Sequence, residues 1–111
     1  MYAHPQQGQS PEEVAQLRQE AGAWLKGLRE ATGLSQRQFA AKVGVEYYTF
    51  ISQIEAGRGR IPPDRYEVWA ETLGLDPRVF VRELMRYYDP HTHRILFGSA
   101  MPAMRAADNN D

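Results

Sequence analysis

Residues 34–57 read LSQRQFAAKVGVEYYTFISQIEAG, two short apolar periods divided by a glycine. Ser35 is suited to cap a helix N-terminus, and Gln38, three residues on, can return a hydrogen bond to the cap's own amide, so a helix begins here. Phe39, Ala40 and Val43 form its apolar face, and Gly44 stops it. After the turn Gly44-Val45-Glu46 a further helix is expected from about Tyr47 to Ala56, burying Ile51 and Ile54 and ending at Gly57. At about 100° per residue Thr49, Ser52 and Gln53 fall on or near the side opposite the isoleucines. The same wheel sends Tyr47 toward the core and Tyr48 to its edge.

Similar signals extend outward on both sides. Ser10-Pro11-Glu12-Glu13 joins a capping hydroxyl, a proline at the first helical position and a glutamate three residues after the cap. Val14, Leu17, Ala21, Trp24, Leu25 and Leu28 then recur at steps of three and four, making a long first helix that runs to Gly33, with Gly22 weakening its middle. Downstream, Arg58 to Pro63 reads as a basic loop. Tyr66, Val68, Trp69, Ala70 and Leu73 mark a fourth helix ended by Gly74, and Asp76-Pro77 starts a fifth, bounded by Pro90. The expected fold is therefore all-α: five helices in one domain over residues 10–88, with an extended first helix. Residues 1–9 are expected to be a disordered leader. Residues 89–111 are expected to form an irregular tail, with one extended candidate at Arg94–Phe97 and a disordered end over 106–111.

Composition restricts the classes of function. At 111 residues one core is expected. The absence of cysteine excludes disulfides, cysteine nucleophiles and thiolate zinc sites. No apolar run is long enough to cross a bilayer and the N-terminus lacks a signal-peptide layout, so a cytoplasmic location is expected. The net charge of −1 is unevenly spread. Residues 24–65 carry +3, and the segments on either side carry −2 each, a pattern that favours a one-faced contact with polyanions.

Leu34-Ser35-Gln36 opening one helix, Val43-Gly44 closing it, and Ile51-Ser52-Gln53-Ile54-Glu55-Ala56-Gly57 closing the next resemble the Xre-type (phage repressor and Cro-like) helix-turn-helix family, over roughly residues 20–86. The resemblance implies sequence-specific binding of double-stranded DNA and transcription regulation by a bacterial protein, nucleoid-associated when bound. It places residues 35–56 as the reading unit. Thr49, Ser52, Gln53 and Tyr48 are then the candidate base readers: Gln53 can pair with adenine N6 and N7, and Thr49 can press its methyl on thymine. Gln36 and Arg37, beside the free amides of a helix N-terminus, and Arg58 and Arg60, in the loop after the reading helix, are candidate phosphate contacts, with Arg65 as an addition. Arg29 and Glu55 occupy positions that the resemblance makes an inward ion pair. One departure is the turn, which has one residue more than the usual spacing, near Glu46.

Other classes rest on less. Asp89, His91 and His93 would lie on one side of an extended segment and could hold a metal, but no nucleophile, general base or phosphate loop accompanies them; no enzyme activity, cofactor or metal is expected. A helical adaptor with weak DNA contact, touching RNA polymerase or another regulator, is the stronger alternative. Because one such unit reads few base pairs, a homodimer is expected. Val81, Met85 and Tyr88, a second stripe on the fifth helix, are its candidate contact, with Arg94–Phe97 added; the alternative is a tail that folds back over Val81 and Met85 and leaves a monomer.

Overall fold

The computed structural model describes residues 10–98, and all regular structure within that span is helical. The helices are α1 (Pro11–Ala31), α2 (Gln36–Val43), α3 (Tyr48–Glu55), α4 (Tyr66–Leu73), α5 (Pro77–Tyr88) and α6 (Pro90–Phe97), with a 3₁₀ turn at Pro63–Arg65. The expected leader and the end of the tail lie outside the described residues.

The cap chemistry sets the starts. Ser10 with Glu13, and Ser35 with Gln38, each form a reciprocal capping box, which satisfies two otherwise unpaired amides per helix. Asp76 Oδ1 accepts from the amides of Arg78 and Val79. Glycines 44 and 74 end α2 and α4 at positive φ of 77°, a conformation in which a Cβ is unfavourable.

The tail departs from expectation. Arg94–Phe97 is the end of α6, not an extended strand. Asp89-Pro90 repeats the Asp76-Pro77 start, and Asp89 accepts from the Thr92 amide at 3.1 Å and the Thr92 hydroxyl at 2.7 Å. With the next eight residues able to bond within themselves, helix prevails over an isolated edge. α6 packs on α5.

Phe39, Val43, Ile51, Ile54, Ile61, Phe80 and Leu84 are fully buried at the centre of the molecule. Each such side chain contributes about 1.5–3 kcal/mol relative to exposure. Trp24 stacks on Phe80 at 5.7 Å and leans on Tyr87 at 5.5 Å, which ties α1 to α5. Phe39 meets Trp69 edge-on at 5.4 Å and ties α2 to α4. Gly22 does not mark a weak point of α1. It is the place where α1 crosses α3, and a Cβ there would run into the carbonyl oxygens of Glu55 and Ile54.

Tyr88 also corrects an expectation. It is 3% exposed, and its hydroxyl accepts from the Ile61 amide at 3.0 Å, so it belongs to the core and not to a partner-facing stripe. At the end of α5 the loop after α3 folds back over it, which the stripe pattern of α5 alone did not reveal.

Candidate nucleic-acid interface

The geometry of the reading unit rests on Glu55, the last residue of α3. Arg29, on the last turn of α1, donates through Nε to Glu55 Oε2 at 2.7 Å and through Nη2 to Oε1 at 3.0 Å. Its Nη1 donates to the Leu34 carbonyl at 2.8 Å, just ahead of α2. Gln36 Nε2 donates to Glu55 Oε1 at 2.9 Å, and Gln36 Oε1 accepts from the Ser52 hydroxyl at 3.2 Å. One network thus joins the end of α1, the start of α2 and the last turns of α3. Both charged side chains are more than nine-tenths buried, and the hydrogen bonds to Glu55 raise the Arg29 pKa above its ordinary value. A buried pair satisfied in this way resists reorientation of α3.

Ile51 and Ile54 hold α3 down on the core, while Thr49 and Gln53, one turn apart, are exposed side by side on the outer face. Ser52 lies between the two faces, with its hydroxyl proton directed to Gln36. Tyr48 is half-buried beneath the Arg37 guanidinium, whose carbon stands 4.1 Å from the ring centre. That contact holds Arg37 beside the start of α3.

Tyr47 is 67% exposed, against the expectation that it turns to the core. The wheel fails here for a definite reason. Tyr47 is the cap of α3, with extended backbone at φ −118° and ψ 128°, so its side chain does not follow the helical progression that leads to Ile51.

The two loop arginines separate. Arg58 is exposed. Arg60 turns back so that its guanidinium carbon lies 4.5 Å from the centre of the Tyr88 ring, close to Arg18 of α1. Burial, followed by the Arg60 charge, lowers the Arg18 pKa. Arg65 donates through Nη1 to the Val43 carbonyl at 3.2 Å and so closes the end of α2. The sequence groups Arg58 and Arg60 in one basic loop, with Arg65 as an addition to the phosphate contacts; the packing of Tyr88 and the open end of α2 separate their roles.

In the described part of the tail the extended arrangement of Asp89, His91 and His93 on one side is not formed. Asp89, His91 and His93 lie at the start of α6, where residues two apart diverge by about 200°. Asp89 caps the helix, His91 is exposed, and His93 lies against Phe97 at 5.3 Å. Among the described residues no group of three or more candidate ligands comes together. No helix there is long and apolar enough to cross a membrane.

A family model described as a helix-turn-helix domain matches residues 20–84, a span that starts within α1 and ends within α5 and contains the whole network. No curated protein matches the chain. The match covers more than half of the chain and coincides with the pinned α2–α3 pair, and the chain belongs to the DNA-binding helix-turn-helix domain family.

Proposed function

We propose that the chain is a sequence-specific double-stranded DNA-binding regulator of transcription, of the Xre (phage repressor and Cro-like) type, working in a bacterial cytoplasm and nucleoid-associated when bound. The observation that carries the reading is the exposed pair Thr49 and Gln53 on a helix whose inner side is buried and whose end is anchored by Arg29 and Gln36. In this reading α3 enters the major groove. Gln53 offers a donor and an acceptor to adenine, and Thr49 offers its methyl to thymine. Ser52 and Tyr48 stand beside them, Ser52 by orienting Gln36 and Tyr48 by supporting Arg37. Arg37, the first amides of α2, and Arg58 take phosphates, and Gln36 is divided between that role and holding Glu55. Arg60 contributes charge from over Tyr88.

The protein acts as a homodimer on a roughly palindromic site, with half-sites about 34–36 Å apart, since one unit reads few base pairs. Val81 and Met85 remain the contact; Tyr88, being core, does not. Selection from a pool of random duplexes tests the reading: a palindromic consensus is expected, and no enrichment overturns it. On the selected site Gln53→Ala is expected to cost about 1–3 kcal/mol and relax the preference at one or two positions.

A second reading, a helical adaptor for RNA polymerase or another regulator, draws on Ile95 and Leu96 of α6, which are 74% and 61% exposed. It predicts duplex binding without sequence preference.

A further inference from the structure

Between α5 and α6 runs an apolar groove of about 570 Å³, with Val81 and Met85 on one side and Leu96 and Phe97 on the other. Val79, Leu96 and Phe97 face solvent, at 48%, 61% and 41% exposed, and Val81 and Met85 form the half-buried floor against the core. Arg78 and Arg82 stand on its rim, both exposed. Among the described residues neither has an acidic partner, the ion pairs being Arg29 with Glu55 and Arg86 with Glu83. An occupant of this groove therefore needs apolar side chains flanked by carboxylates. A second copy of the groove does not supply them, since its lining holds two arginines and no carboxylate.

The N-terminal half of α1 has the required character. Glu12, Glu13 and Glu20 are exposed there, and Val14 and Leu17 lie among them, half-buried and outside the set of side chains that pack on the core. This half of α1 cannot reach the groove of its own chain. Trp24 of α1 rests on Phe80 and Tyr87, and Arg18 is close to Tyr88, so the two helices run antiparallel and Pro11–Leu17 projects past the Tyr88 end of α5. The groove lies toward the other end, on the Val81 and Met85 face, which is turned away from Trp24.

We infer that the acidic half of α1 from a second copy seats in the arginine-rimmed groove, and that two copies exchange these contacts reciprocally to form a closed two-fold dimer. Each copy brings one acidic helix end and one basic groove, so a two-fold pair satisfies both, as an isologous interface requires. Val14 and Leu17 fill the groove, while Glu13 and Glu20, one turn to either side of Leu17 on one flank of the helix, face Arg78 and Arg82. The inference names the contact behind the dimer of the proposed function and rests on that part of it.

Charge exchange tests it. Light scattering at micromolar concentration without DNA is expected to give a dimer for the parent. Glu13→Lys with Glu20→Lys, and separately Arg78→Glu with Arg82→Glu, should each weaken association by about tenfold or more. Glu13→Lys opens one half of the capping box of α1, and the other half stays because the Ser10 hydroxyl accepts from the backbone amide of residue 13. All four substitutions in one chain should restore the dimer, and since that chain carries every change, restoration also shows that the substitutions permit folding. A mixture of the two charge variants should likewise form a heterodimer in which both contacts are complementary. A monomeric parent, charge variants that stay dimeric, or a fourfold variant that stays monomeric overturns the inference. None of these results depends on duplex selection, so a protein that selects a DNA sequence yet fails here keeps its DNA-reading role and loses this interface.

Discussion

Removing Arg29 leaves the buried Glu55 carboxylate with the Gln36 amide as its remaining side-chain donor in the network. Arg29→Ala is therefore expected to lower stability by about 3 kcal/mol, because a buried charge loses its counter-ion. Chemical denaturation of Arg29→Ala, Glu55→Gln and the double variant checks this: coupling requires the double variant to be less destabilised than the sum of the two. Independent costs would mean that the two side chains do not act as a unit. The adjacent tyrosines give a contrast at the same scale. Tyr47→Ala removes a side chain 67% exposed and should alter stability by no more than about 0.5 kcal/mol. Tyr48→Ala removes the ring under Arg37 and should cost about 1 kcal/mol from that cation–π contact and its packing. Equal effects in urea denaturation would contradict the difference in burial. From sequence, Gln53 and Thr49 were correctly placed on the face away from the isoleucines, because a regular helix fixes their angles. Tyr47 was misplaced because one residue at a helix boundary decides whether that rule applies.

Where helices cross, the spacing between backbones controls function through the position of α3. Gly22→Ala puts a methyl into the carbonyls of Ile54 and Glu55, both backbone atoms, so α1 and α3 must separate. A loss of about 2 kcal/mol or more is expected, together with weaker DNA binding, since the anchored end of the reading helix moves. Gly27→Ala is the control within the same helix: its new methyl meets nothing within 4 Å, so stability should rise by about 0.5–1 kcal/mol. Thermal melts in which both variants behave alike would remove the crossing from this account. Gly22 carried a weak sign in the sequence, a glycine inside a strong helical period with no stop around it. What it lies against is invisible there, since Glu55 is 33 positions away. The tail helix teaches a related lesson: Asp89-Pro90 is the same start signal as Asp76-Pro77, and it outweighed the extended character of Ile95, Leu96 and Phe97.

For the whole molecule, the loop after α3 is locked to the end of α5 through the Tyr88 hydroxyl and the Ile61 amide. Burial raises the Tyr88 pKa above its ordinary value of 10.0, against the smaller opposing effects of the Ile61 amide and Arg60. Tyr66 is raised as well, again by burial. A phenol whose pKa is higher folded than unfolded contributes stability that is complete below about pH 10 and lost as pH rises through the folded value. Denaturation at pH 8 to 11 should show that decline, and Tyr88→Phe should reduce its slope while costing about 1–3 kcal/mol at pH 8, because the Ile61 amide loses its acceptor. An unchanged slope would separate Tyr88 from the alkaline transition. In duplex binding Arg58→Ala should weaken selected and random DNA alike and reduce the salt dependence by about one phosphate contact, and a selective loss would make Arg58 a base reader. Local chemistry was enough to establish the helix-turn-helix pair and the order of helices through α5, because caps, glycine stops and apolar periods act over a few residues. The contacts among Arg29, Glu55, Gln36 and Ser52, the burial of Tyr88 and the turning of Arg60 away from Arg58 were decided by tertiary packing. They depend on which surfaces the loops bring together across the core, and that is set by the closing of distant elements, not by any residue's near neighbours.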